Sequence, residues 1–129
     1  MTGWQSLTPE ALAAEYDNRA RVPEHPAIFA RWRRAATAAR EARPARLDVP
    51  YGPGERERLD IFPAGPEAPV VLFLHGGYWR AMGREDFAFL APPLVGAGVT
   101  LVVAGYPLCP AVSMTALADS VGRAAARLP

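Results

Sequence analysis

The residues best suited to chemistry are His75-Gly76-Gly77-Tyr78-Trp79-Arg80. They follow directly on Val70-Val71-Leu72-Phe73-Leu74. A continuous apolar run of that kind is expected for a strand covered on both faces of a parallel sheet. In open α/β sheets, ligands bind at the carboxyl ends of strands. Two successive glycines let the backbone turn so that its N–H groups face a pocket. Donors fixed in this way stabilise the oxyanion formed when an ester or amide carbonyl is attacked. The bland alternative is a tight strand-to-helix turn with no function. The histidine, the two aromatics and the preceding strand weigh against it.

Attack on a carbonyl also needs a nucleophile, a base and an acid. The chain has three serines, Ser6, Ser113 and Ser120. None lies in Gly-x-Ser-x-Gly, the sharp strand-to-helix turn that exposes a serine nucleophile. Ala118-Asp119-Ser120-Val121-Gly122 comes nearest, but it reads as mid-helix with no strand before it. The histidines are His25 and His75, and His25 sits between Glu24 and Pro26 in a loop or capping context. Cys109 has no evident partner histidine and reads as a structural thiol. A single cysteine also excludes a disulfide framework and a multi-cysteine zinc site. No metal cluster and no cofactor is expected.

The elements that must position the glycine segment follow from periodicity and punctuation. Thr8-Pro9 starts a helix running to about Arg19, with Leu12, Tyr16 and Ala20 on one face. Pro23 and Pro26 break the chain. A second helix spans about Pro26 to Arg43, with Ile28, Trp32, Ala35 and Ala39 as its apolar stripe. Leu47 and Val49 alternate with polar neighbours, Tyr51-Gly52-Pro53-Gly54 turns, and Arg58 to Phe62 returns as an antiparallel partner. After the Val70–Leu74 strand, Phe87 to about Val95 reads as an apolar helix interrupted or ended at Pro92-Pro93. Val99 to Ala104 is another buried strand, and Met114 to Leu128 the last helix. Hairpin, strand, helix, strand, helix is the order of an α/β domain with a parallel sheet.

At 129 residues the chain is one domain at most on length, with enough surface to bury a core. Half the residues are hydrophobic and the formal net charge is +1, which excludes a disordered charged tail and a globally basic nucleic-acid binder. All 14 basic residues are arginine, eight of them between Arg19 and Arg46. That segment reads as a solvated helix face, and no nucleic-acid partner is expected. The uncharged stretch from Phe87 to Ala118 is long enough for a membrane span, but its prolines and glycines mark helix ends, turns and loops instead. No secretory leader is read at Met1, so a cytoplasmic protein is expected.

The run LDIFPAG…PVVLFLHGGYWRAMGREDFAFLA…LVGAGVTLVVAGYPLCP resembles the amino-terminal half of an α/β-hydrolase. More narrowly it is similar to arylformamidase (kynurenine formamidase) and related small esterases. Their mark is His-Gly-Gly-x-Trp, matched by His75, Gly76, Gly77, Tyr78 and Trp79. The Tyr-x-Leu-x-Pro tail appears as Tyr106, Leu108 and Pro110. The resemblance covers about Leu47 to Leu128, with Tyr16-Asp17-Asn18-Arg19 in the helical lead-in also similar to bacterial members. It implies a helical lead-in over 1–46 packing on a partial hydrolase domain over 47–129. It implies an oxyanion loop of Gly76, Gly77 and Tyr78, with the Gly77 and Tyr78 N–H groups as donors. His75 would brace that loop within the substrate site, and Trp79 would wall the pocket for a formyl or short acyl group.

By that family's topology, the chain is expected to stop before the strand carrying the nucleophile. The complete enzyme would then cleave a formamide or ester of an aromatic or small substrate, and this chain alone would be inactive. The absent half would pair with Val70–Leu74, so an unpaired apolar edge and marginal solubility are expected. A homo-oligomer is left open. The contrasting reading is a non-catalytic interaction module that recruits a partner chain through this exposed sheet edge.

Overall fold

The computed structural model describes residues 3–128. The expectations attached to Met1 and Pro129 lie outside the described residues. The chain divides into two compact units between Arg31 and Trp32.

The first unit is helical, and none of its described residues is buried. Helix α1 spans Pro9–Glu15, with the Thr8 side chain accepting from the Ala11 N–H and Pro9 at the first position. The single helix expected through Arg19 is two helices, because the Asp17 carboxylate accepts from the Ala20 N–H and starts α2 (Asn18–Arg21). A side chain that satisfies an orphan N–H of the next turn favours a fresh start over continuation. Helix α3 (His25–Ala42) begins in this unit.

The second unit is built on four strands, β1 (Arg46–Pro50), β2 (Arg58–Phe62), β3 (Val70–Leu74) and β4 (Thr100–Ala104), in the sheet order β1-β2-β4-β3. Strands β1 and β2 form the expected antiparallel hairpin. Its register shifts between Arg46 and Val49, where Asp48 has φ 57°. Buried Asp60 of β2 accounts for this bulge, accepting from the Asp48 N–H at 3.0 Å. Strand β4 runs antiparallel to β2 and parallel to β3. The parallel register sets Leu74 opposite Ala104, so both strands end at the same level.

Burial separates the two apolar strands. Every residue of β4 is buried, whereas β3 is half-exposed, with Val71 and Leu74 open to solvent. The covering expected over both faces of Val70–Leu74 is therefore incomplete. The reason is position: β3 is the edge of the sheet.

One side of the sheet packs Phe62, Leu101 and Val103 against Ala36 and Trp32 of α3 and against Phe87, Ala88 and Ala91. The other packs Leu59, Ile61, Val102 and Ala104 against Tyr51 and Ala124 of α5 (Met114–Ala125). The apolar segment after Phe87 is a 3-10 turn, Ala88–Leu90, followed by α4 (Ala91–Gly96). Pro92 and Pro93 fall in the first turn of α4 and neither interrupt nor end it. The first-turn N–H groups have no intrahelical partner, so proline loses nothing there.

Candidate active-site segment

The segment His75–Met82 leaves β3 through an unusual backbone. Gly77 has φ 123°, and Tyr78, Trp79 and Met82 have φ 59°, 58° and 69°. Left-handed conformations at non-glycine residues cost of order 1–3 kcal/mol each and persist where the surroundings impose them. At Gly77 the demand is steric as well. A Cβ there would stand 2.2 Å from the Ala81 carbonyl oxygen. The Gly77 carbonyl accepts from Arg80 N and Ala81 N, both at 3.1 Å. The N–H groups of Gly77 and Tyr78 make no hydrogen bond among the described residues. The segment thus turns back on itself through its carbonyls while two successive donors stay open.

His75 lies beneath this turn and is only 3% exposed. Its ring is stacked between Tyr106, at a centroid distance of 4.3 Å, and Phe87, at 5.8 Å. Nδ1 lies 2.7 Å from the Gly76 carbonyl oxygen, a geometry that puts the proton on Nδ1. Nε2 is buried with no partner among the described residues. Burial lowers the imidazole's affinity for a proton, which keeps the ring neutral and suits it to an aromatic stack. Tyr106 adds a second tie, its hydroxyl donating to the His75 carbonyl. Tyr106 entered the sequence reading only as part of the Tyr-x-Leu-x-Pro tail. Its side-chain contact across 31 residues leaves no local signal.

Tyr78 and Trp79 project outward, 61% and 49% exposed, in edge-to-face contact with each other. The Trp79 carbonyl accepts from the Cys109 N–H at 2.9 Å, joining this segment to the loop after β4. The Cys109 thiol is half-buried and lies 3.6 Å from the Met114 sulfur.

The other candidate nucleophile has a different place. Ser120 lies in α5, fully buried, and donates to Glu57 Oε1 at 2.7 Å. Its Oγ is also 3.0 Å from the Tyr51 hydroxyl, which donates to the Gly105 carbonyl. Glu57 further accepts from the Gly54 N–H and from Arg123. These donors, the Gly54 N–H first and the Ser120 hydroxyl next, hold the Glu57 carboxyl down at about 2. The network fastens α5 to the turn of the hairpin. His25 is in the first unit, its Nδ1 2.9 Å from the Val22 carbonyl oxygen.

A polar cleft of about 410 Å3 opens on the hairpin side, lined by Asp48, Glu55, Arg56, Arg58, Arg84, Glu85 and Gly105. At its wall Arg84 bridges Asp48 and buried Asp60, while Arg58 Nη1 lies within 3.3 Å of the Gly52, Gly54 and Glu57 carbonyls. From α3, Arg33 pairs with Asp86 and Arg40 lies 3.6 Å from Asp60. Arg33 and Arg40 of the basic segment are thus ties within the second unit, and Arg21 pairs with Glu15 within the first. Among the described residues no group of acidic, histidine or cysteine side chains is arranged to hold a metal ion. Nor is any helix long and apolar enough to cross a membrane.

Known proteins give these observations a family context. No protein-family model matches the chain. Kynurenine formamidase from Danio rerio is 30% identical over 132 residues, taking in 95% of this chain and 45% of that protein. The Salmo salar kynurenine formamidase is 41% identical over 80 residues, 60% of this chain and 27% of that one. Among solved structures, a candidate thioesterase from Silicibacter sp. superposes with a TM-score of 0.80 at 31% identity. That superposition covers 87% of this chain and 45% of the other. Esterase B from Lactobacillus rhamnosis shares the fold, with a TM-score of 0.57 at 18% identity over 81% of this chain and 38% of its own. The chain therefore spans less than half the length of the curated relatives it matches. Its mixed sheet is thus a partial α/β-hydrolase fold, and the chain is similar to the kynurenine formamidases and related esterases.

Proposed function

We propose that this chain is the oxyanion-loop part of a serine hydrolase that cleaves a formamide or ester of an aromatic or small substrate. Gly76, Gly77 and Tyr78 form the loop, the N–H groups of Gly77 and Tyr78 donate to the oxyanion, and Trp79 walls the acyl pocket. The carrying observation is the pair of open N–H groups at the carboxyl end of β3, held in a left-handed turn braced by His75. Donors oriented before the reaction need no rearrangement as charge develops on the carbonyl oxygen. The serine, base and acid come from residues outside this sequence, so the chain alone turns nothing over.

A chimera tests this reading. Residues 1–129 replace the matching part of the Danio rerio kynurenine formamidase, and hydrolysis of a formylated aromatic amine is followed. The chimera is expected to be active. Gly77→Ala should lower kcat by about 10²–10³, the usual effect of disabling an oxyanion donor. Unchanged kcat in that variant would remove the oxyanion role.

A second reading rests on the exposed β3 edge, where Val71 and Leu74 are open. In this reading the chain is a non-catalytic module that takes a partner strand there. A stoichiometric complex on size-exclusion chromatography, with an inactive chimera, would favour it.

A further inference from the structure

Arg56 lies in the turn between β1 and β2, outside the glycine segment and far from it in sequence. Its guanidinium nevertheless reaches both loops at the carboxyl ends of the parallel strands. Nε donates to the Tyr106 carbonyl at 3.0 Å and Nη2 to the Met82 carbonyl at 2.5 Å. Met82 closes the left-handed segment, and Tyr106 carries the ring stacked on His75. The Arg56 backbone also fits closely, since a Cβ on Gly105 would stand 2.5 Å from the Arg56 carbonyl oxygen. One planar side chain therefore spans two carbonyls on separate loops.

We infer that Arg56 is a positioning residue that clamps the His75–Met82 segment to the loop after β4 and so fixes the direction of the Gly77 and Tyr78 N–H groups. The inference rests on the oxyanion reading above. Its physical basis is the fork geometry of arginine, which presents several donors in one rigid plane, whereas lysine presents a single point charge. Hydrogen bonds from a charged donor are stronger than neutral ones. Other ties between the two loops are the Cys109 N–H to Trp79 bond, the Tyr106 hydroxyl to His75 carbonyl bond and the stack of the Tyr106 and His75 rings.

Amide hydrogen exchange on the 129-residue chain tests this, comparing Arg56→Gln and Arg56→Lys with the parent. The reporter is the Cys109 N–H, which is bonded to the Trp79 carbonyl. The controls are the amides of Leu101, Val102 and Val103 in β4. Both variants are expected to lose about tenfold or more in protection at Cys109, the equivalent of one charged hydrogen bond. The β4 amides should keep theirs, and the Gly77, Tyr78 and Trp79 resonances should shift. Equal loss in β4 would make Arg56 a general stabiliser and overturn the inference. So would unchanged protection at Cys109, or full retention in Arg56→Lys, which would mean that charge and not the fork holds the loops. This readout needs no turnover, so its failure is separable from a failure of the chimera assay.

Discussion

At the scale of single residues, the two glycines of His75-Gly76-Gly77 are not equivalent. A Cβ at Gly76 meets nothing within 4 Å, whereas one at Gly77 collides with the Ala81 backbone. Gly77→Ala should therefore cost roughly 2 kcal/mol in a urea melt, and Gly76→Ala well under 1 kcal/mol. Equal costs at the two positions would contradict the turn geometry. Glu57 makes a second prediction, about pH. Its folded pKa, about 2, is below that of a free carboxylate, so the unfolded chain binds more protons through the intervening range. Stability from Glu57 is complete above the free-carboxylate range and is lost as pH falls through it towards 2. Glu57→Gln should flatten the acid limb of a stability–pH profile, and an unchanged limb would sink the assignment. The glycine motif itself was legible in the sequence, as a strand followed by His-Gly-Gly. Arg56 and the stacking role of Tyr106 were not, because their contacts join segments 26 to 50 residues apart with no local pattern.

At the scale of elements, the hairpin, the parallel β3/β4 pair and the final helix follow from alternation, apolar runs and turn residues. Pro92-Pro93 misled, because the pair looks like a breaker yet suits the first turn of α4. Burial of β3 was legible only in part. Composition marks a strand fit to be covered, but the sheet order decides which strand is left at the edge. Helix α5 is held through Ser120, whose hydroxyl reaches Glu57. Ser120→Ala should lower stability by about 1–3 kcal/mol, since buried Glu57 loses a donor. In the active chimera it should leave kcat unchanged. A collapse of kcat with stability intact would restore Ser120 as a nucleophile candidate. The β3 edge carries a prediction of its own. Light scattering should detect concentration-dependent association of the parent chain, and Val71→Lys should suppress it, as charged side chains do on open edges. Association untouched by Val71→Lys would move the contact elsewhere.

At the scale of the whole molecule, the chain is a partial α/β-hydrolase sheet with a separate helical unit before Trp32. The described residues bring together an oriented backbone turn, its buried histidine brace and an exposed tryptophan. They also leave a strand edge open beside them. Under the proposed function, that edge is where the residues supplying the nucleophile would join the sheet. The most direct test is a crystal structure of the chimera with its serine trapped by an alkyl phosphonate. The phosphonyl oxygen is expected about 2.7–3.1 Å from both the Gly77 and the Tyr78 nitrogens. A trapped phosphonate whose oxygen is held by other donors, with those two N–H groups facing solvent, would contradict the account.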